Sequence, residues 1–150
     1  MAVDSQNLTD HVQIVALCAR FVTAVDARDF AAVADCFTSD GTLETVIPPN
    51  VMRSQDEIET GLRERTSSAL AAQHLVTNHL YDVDGDEAVG TASFVMYRWP
   101  KPPAVARGAT AHGGTYNDRL ARTERGWKFK HRRIEILWGP GALTAPDPVG

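Results

Sequence analysis

Two histidines lie five positions apart in the stretch "QHLVTNHL", residues 73–80. Histidine can bind a metal ion, transfer a proton near neutral pH, or simply be a polar side chain on a strand. Side chains alternate between the faces of a strand, so His74 and Asn78 are predicted on one face and His79 on the other. Histidines that point apart do not ligate one ion together, and neither cysteine lies near a matching histidine pattern. The pattern disfavours a metal site and leaves the other two alternatives open.

A carboxylate stands at the end of the first apolar stripe. From Ser5 to about Asp26, apolar residues recur at spacings of three and four, which predicts a helix with one face on the core. These residues are Ile14, Leu17, Cys18, Phe21 and Val25. Because Asp26 lies eight positions beyond Cys18, the same periodicity places a charge at the end of an inward-facing stripe.

Composition indicates one globular domain, because 150 residues with 43% hydrophobic and 23% charged residues suit a single closed core. The net charge of -4 opposes a nucleic-acid partner, and the one dense basic run, residues 128–133, lies on a strand pattern. No apolar run approaches the roughly 20 residues of a membrane helix, and the polar N-terminus lacks a signal-peptide pattern. A cytoplasmic location is expected. Cys18 and Cys36 are predicted to be buried free thiols.

Helices precede strands along the chain. The stretch "RDFAAVADCF" predicts a short second helix, which "TSDG" ends before an extended "TLETVI". Ser54 and Glu57 have capping-box spacing at the start of a third helix. Residues 74–83, 87–99, 109–123 and 127–138 predict long antiparallel hairpins, giving an α+β fold whose sheet curls around the helices. The tail, about residues 139–150, is expected to be a flexible end or a flap.

Several motifs together resemble one known superfamily. They are "AVDARDF", "QHLVTN", "YNDRLARTERGWKF" and "HRRIEILWG". In this order and spacing, from Ile14 to Gly139, they resemble the nuclear transport factor 2-like superfamily. The match is closest to its SnoaL-like branch, which holds scytalone dehydratase, bile acid 7α-dehydratase and the hexachlorocyclohexane dehydrochlorinase. The resemblance implies one domain over residues 1–150, with a cone-shaped curved sheet, antiparallel or mixed, around three N-terminal helices.

The resemblance also implies a catalytic dyad. Lyases of the branch carry an aspartate at the end of the first helix and a histidine on the strand after the third helix, which here are Asp26 and His74. A neutral imidazole accepts a proton near pH 7, and a carboxylate on its other nitrogen fixes the tautomer. The alternative is structural: His74 is a hydrogen-bonded core residue, and Asp26 closes the first helix.

Arg132 is the candidate for binding a charged substrate group. Alternation places it on a strand face with Ile134, Ile136 and Trp138. Related lyases carry a pocket arginine close to this position, which implies contact with an anionic or leaving group. A salt bridge to Glu44, Asp118 or Glu135 is the equal alternative.

Five further residues are candidates for the pocket wall: Asn78, Tyr97, Tyr116, Phe21 and Trp138. Asn78 could hold a substrate oxygen or bond the sheet, and each tyrosine is either a phenol donor or a half-buried strand aromatic. Bile acid dehydratase has a tyrosine where this chain has Phe21. Scytalone dehydratase has one where this chain has Val25, and another on the strand after the second helix, near Thr45 and Val46 here. Carbonyl activation therefore needs another donor, or the substrate has no carbonyl group.

These residues predict a small cofactor-independent lyase, nearest to a dehydratase, acting on a hydrophobic, aromatic or polycyclic molecule. The sequence offers neither a Gly-rich phosphate loop nor a metal-ligand cluster. The alternatives are an isomerase or polyketide cyclase that uses the same pocket, and a non-catalytic small subunit or ligand-binding protein of the same fold. A homo-oligomer is expected, with a trimer favoured over a dimer and the face of Leu75, Thr77 and His79 as a contact surface.

Overall fold

The structure is a computed structural model that describes residues 5–46, 49–68, 70–101 and 109–140. Its three helices are α1 (Ser5–Ala27), α2 (Phe30–Asp35) and α3 (Gln55–Arg65). Half of the predicted capping box is formed, because Ser54 Oγ accepts from the Glu57 amide. The Glu57 carboxylate accepts from the Arg53 amide instead of the Ser54 amide, which donates to Gly41 O. Asp29 likewise caps α2 by accepting from the Ala32 amide. Side chains therefore fix where α2 and α3 begin.

Within the described ranges, six strands form one curved mixed sheet. They are β1 (Phe37–Thr45), β2 (Asn50–Arg53), β3 (Leu70–Asp84), β4 (Glu87–Pro100), β5 (Thr110–Thr123) and β6 (Gly126–Trp138). The order is β2-β1-β6-β5-β4-β3, and the β1–β6 pair is parallel while the other pairs are antiparallel. The four predicted hairpin strands and the α+β class are confirmed.

The predicted start of the first strand is wrong. Residues 38–41, "TSDG", lie within β1 instead of ending α2, and an irregularity in the pairing with β6 falls between Phe37 and Thr42. Gly41 permits this path, since a Cβ there would lie 2.8 Å from Phe37 Cβ and 2.9 Å from Thr38 O. The short strand β2, which pairs with β1, was not predicted.

The core lies between α1 and the concave inner face of the sheet. The ring of Phe21 meets those of Phe37, Tyr116 and Phe129 edge-on at 5.9 to 6.0 Å. Cys18 is a buried free thiol on the same helix face. By length and mean hydropathy α1 could cross a membrane. Its apolar face is nevertheless buried against the sheet, which identifies α1 as a core helix.

A charged clamp ties the first turns of α1 to the β5–β6 hairpin. Arg122 donates to both oxygens of Asp10 at 2.6 and 2.9 Å, and Trp127 Nε1 donates to the same carboxylate at 3.1 Å. The guanidinium lies 4.6 Å from the Trp127 ring. The Arg122 hydrogen bond is the main reason that the pKa of Asp10 falls to about 2, although burial opposes this shift. The clamp holds α1 across the sheet.

Inward-facing residues of neighbouring strands form rows across the sheet. The mouth row, at the end of the sheet where α1 ends, comprises His74, Met96 and His112. The deep row comprises Tyr81, Gly90, Asp118 and Arg132. Gly90 has a specific role, because a Cβ there would lie 2.5 Å from a ring carbon of Tyr81. Because Gly90 has no Cβ, the Tyr81 ring can lie over β4 and reach Asp118 on β5.

Candidate active site

Asp26 and His74 meet at the end of α1. Asp26 Oδ1 lies 2.6 Å from His74 Nδ1, and Oδ2 accepts from the His74 backbone amide at 2.8 Å. A carboxylate only accepts hydrogen bonds, so this contact places the ring hydrogen on Nδ1 and leaves the Nε2 lone pair bare. Among the described residues Nε2 has no hydrogen-bond partner. The His74 side chain is 10% exposed and the Asp26 side chain 21% exposed, so the pair is largely buried but still reached by solvent.

The local chain closes α1 without using the Asp26 carboxylate. The backbone amide of Arg28 donates to Val25 O, and the amide of Asp29 donates to Ala24 O. Arg28 has a φ of 60°, which turns the chain out of the helix, and its side chain donates to the carbonyl oxygens of Thr66 and Ser67. These bonds hold the end of α1 beside the segment that enters β3. The alternative role of Asp26 as a helix-closing group is therefore not the one observed.

A β-bulge changes which face each residue of "QHLVTNHL" occupies. The β3–β4 register shifts between Thr77 and Leu80, and Asn78 sits there with a φ of 53°. The prediction that Asn78 shares the face of His74 is wrong, because the bulge leaves Asn78 exposed. The prediction for His79 is wrong too, since the extra residue turns its ring inward, where it stacks on Tyr81 at 6.4 Å.

Burial lowers the pKa of His79, and the Arg132 charge lowers it further, while Asp118 and the Val76 backbone oppose this shift. Its Nδ1 atom is buried without a hydrogen-bond partner among the described residues. His79 is therefore a neutral inward imidazole near pH 7. It is not a residue of the outer surface.

Arg132 forms a salt bridge with Asp118 in the deep row. Its Nε and Nη2 atoms donate to the Asp118 carboxylate at 2.9 and 2.7 Å, and Tyr81 donates to that carboxylate at 2.7 Å. The guanidinium is fully buried between aromatic rings, 3.9 Å from Phe129 and 4.0 Å from Tyr116. Burial is the largest single influence and lowers the pKa of Arg132, but the charge and hydrogen bonds of Asp118, together with Cys18 and Tyr116, raise it above its usual value. Of the predicted alternatives, the salt bridge to Asp118 is the one observed.

The four aromatic candidates separate into two groups. Phe21 and Tyr116 face the core, where Tyr116 stacks on Phe94 at 4.5 Å and burial raises the pKa of its phenol. Tyr97 and Trp138 are 42% and 48% exposed. The prediction of both as pocket residues is wrong: Tyr97 alternates with the inward Met96, and a register shift between Gly113 and Gly114 precedes Trp138 on the paired strand.

Sequence reasoning missed His112. It shares the inner face with Tyr116 and Asp118, because these residues stand at even spacing along β5. Its Nδ1 atom is buried and has no hydrogen-bond partner in the described part of the chain. Burial lowers the pKa of His112, and the nearby Arg98 charge adds to this shift. The alternation along "TAHGGTYNDRL" was the signal available in the sequence.

Other possible sites lie elsewhere or are not formed. Among residues 5–46, 49–68, 70–101 and 109–140, no group of three His, Cys, Asp or Glu side chains converges to hold a metal ion. Grooves of about 390 and 480 Å³ lie along α3 and between α1 and α2, and neither is lined by Asp26 or His74. The predicted flap falls mainly on residues 141–150, which lie outside the described residues.

The helices on a curved mixed sheet, with a polar pair at the end of α1, define a small single-sheet α+β protein of the SnoaL type. A SnoaL-like domain model matches residues 6–133, and the chain belongs to this family. No curated protein matches the chain. The resemblance inferred from the sequence is thus confirmed.

Solved structures show the same fold. An asparagine-for-aspartate variant of Rv3472, a protein of unknown function from Mycobacterium tuberculosis, is 29% identical, with a TM-score of 0.76 over 91% of this chain and 78% of that chain. A putative scytalone dehydratase from Novosphingobium aromaticivorans is 18% identical, with a TM-score of 0.76 over 90% and 89%. LinA is 16% identical, with a TM-score of 0.79 over 97% of each chain. These last two likenesses bear on the fold alone.

Proposed function

We propose that the protein is a cofactor-independent lyase of the dehydratase type, with His74 as the base and Asp26 as the residue that orients it. The observation that carries this proposal is the 2.6 Å contact between Asp26 Oδ1 and His74 Nδ1, opposite a bare Nε2. A carboxylate in this position fixes the imidazole tautomer and stabilises the imidazolium that forms when Nε2 takes a proton.

The reaction follows from this arrangement. His74 Nε2 removes a proton from a substrate carbon, and the electron pair of the broken C–H bond forms a C=C bond with the neighbouring carbon. The C–O bond on that neighbour breaks, and the departing hydroxide takes the proton back from the imidazolium and leaves as water. No external acid, base or oxidant is needed, because the proton that His74 removes is the one that it returns.

The substrate proposed for this site is a hydrophobic ring compound. The inner face beside His74 carries the apolar side chains of Val76, Phe94 and Met96. Arg132 contributes less to this site than its residue type suggests. Its guanidinium is bound to Asp118, and only Nη1 lacks a partner among the described residues.

A screen of hydroxylated ring compounds with four proteins tests the proposal: wild type, His74→Ala, Asp26→Asn and His131→Ala. The last variant is a matched control, because His131 also contacts a carboxylate, Glu44, at 3.0 Å but is remote from the inner face. We expect turnover in wild type and His131→Ala, none in His74→Ala, and a rate lower by roughly 10² to 10⁴-fold in Asp26→Asn. Full activity in a folded His74→Ala protein would falsify the proposal. Identifying the product separates the three reactions: a lyase product has lost water and gained a C=C bond without a new ring, a cyclase product has a new ring, and an isomerase product keeps the mass of the substrate.

A further inference from the structure

The proposed chemistry needs a hydrogen-bond donor that the aromatic residues do not supply. Removing a proton from carbon is easier when a neighbouring carbonyl oxygen takes up the negative charge and a fixed donor stabilises it. Tyr97 points to the outer surface, and Tyr116 is sealed beneath Phe94 and Arg132. Neither phenol faces His74 across the mouth row.

His112 stands where such a donor is required. The register pairs His74 with Met96 and Met96 with His112, so the two histidines lie on one face with a single strand between them. Two strand spacings separate their backbones by about 10 Å. The flexible, apolar Met96 side chain forms the floor between the imidazoles.

The state of His112 suits the same role. An imidazole with a lowered pKa is neutral near pH 7, and it keeps one N–H donor that can polarise a carbonyl group. Its Nδ1 atom is buried without a partner among the described residues, which is costly unless a bound group satisfies it. Arg98 lies two residues beyond Met96 on β4, opposite Ala72 and Thr110. Its charge adds positive potential at this end of the sheet.

We infer that His112 is a second catalytic residue, which hydrogen-bonds a carbonyl oxygen of the substrate while His74 removes the proton from the adjacent carbon. This inference rests on the proposed function of His74. When the C–H bond breaks, its electron pair forms a C=C bond and the carbonyl π electrons move to oxygen, giving an enolate held by His112. The enolate then re-forms the carbonyl group and expels hydroxide from the next carbon. The substrate class is therefore a cyclic β-hydroxy carbonyl compound.

Binding of 2-naphthol tests this assignment without requiring turnover, since its phenolic oxygen mimics the enolate oxygen on a ring. Naphthalene is the matched probe without an oxygen atom. The proteins are wild type, His112→Leu, His112→Gln and His79→Leu, each also made with His74→Ala, and Kd is measured by calorimetry. Gln keeps an N–H donor at position 112, and His79 is an inward histidine outside the mouth row.

We expect the Kd of 2-naphthol to rise about tenfold in His112→Leu and to stay within about twofold in His112→Gln and His79→Leu. The Kd of naphthalene should change equally little in all variants. Failure of wild type to bind 2-naphthol, or an equal loss of both probes in His112→Leu, overturns the inference. The same changes in Kd are expected when each protein also carries His74→Ala, because binding does not need the base. Failure of the proposed His74 role would be detected by a different measurement, as turnover retained in His74→Ala.

Discussion

The Asp26 carboxylate contacts His74 at two points: one oxygen bonds the ring nitrogen Nδ1, and the other accepts a hydrogen bond from the backbone amide. The second bond fixes where β3 passes the end of α1, and the first fixes how the ring is turned. Position and orientation of the imidazole therefore depend on one side chain 48 residues earlier in the chain. The proposed proton transfer requires both constraints, because the ring must present Nε2 in a fixed direction while Nδ1 keeps its hydrogen.

Asp26→Asn should separate orientation from folding. An asparagine keeps an oxygen that can accept from the His74 amide or ring, so the melting temperature should fall by no more than a few degrees. The negative charge that stabilises an imidazolium is lost, so kcat should fall by roughly 10² to 10⁴-fold. Steady-state kinetics and a thermal melt on the same sample measure the two effects. A kcat within threefold of wild type would contradict the orienting role.

Asp10 should determine the acid limit of the fold. Its folded pKa, about 2, lies below the ordinary 3.8, so its contribution is present above about pH 4 and is lost as the pH falls from there towards 2. In Asp10→Asn, unfolding free energy at pH 7 should fall by about 1 to 2 kcal/mol, and this difference should shrink below pH 4. Urea titrations at pH 7 and pH 3 test this. Asp82→Asn, at an exposed site, is the control expected to match wild type.

The salt bridge between Arg132 and Asp118 should be costly to break on one side. Asp118→Leu leaves a buried guanidinium without its carboxylate, so the unfolding free energy should fall by about 3 to 5 kcal/mol. The double variant Asp118→Leu with Arg132→Met removes both charges and should be more stable than Asp118→Leu alone. Tyr81→Phe keeps both charges and removes the hydroxyl that donates to Asp118 and contacts Cys18 Sγ, so it should cost about 1 to 2 kcal/mol. Additive losses in the double variant would show that the two charges are uncoupled.

Sequence periodicity predicted α1 and the four hairpin strands, because each is a strongly patterned segment. The meeting of Asp26 with His74 was implied by the resemblance to the SnoaL-like branch, since no local spacing relates two residues 48 positions apart. The faces of Asn78 and His79 were not predictable in this way. A strand alternates strictly until a bulge intervenes, and one residue with a φ of 53° reverses every later assignment until the strand ends. Two further contacts could not be predicted, because both depend on the register between strands. Arg132 pairs with Asp118 because β5 places that residue opposite it, and Gly90 is required because the Tyr81 ring crosses β4 at that position.

The outer face of β3 and β4 should be an interface between copies of the chain. After the bulge, Leu80 takes the outward position once predicted for His79, and Leu75 and Leu80 are 54% and 72% exposed. Together with Val89 and Tyr97 they form an apolar surface of a kind that marks protein contacts.

Sedimentation at micromolar concentration should give an oligomer, with a trimer favoured over a dimer, and the double substitution Leu75→Glu with Leu80→Glu should shift it towards monomer. Glu59→Lys, on the exposed side of α3, is a charge-changing control expected to leave the assembly intact. A wild-type protein that sediments as a monomer would refute the assembly, while leaving the Asp26–His74 proposal untouched, because both residues of that pair belong to the same chain.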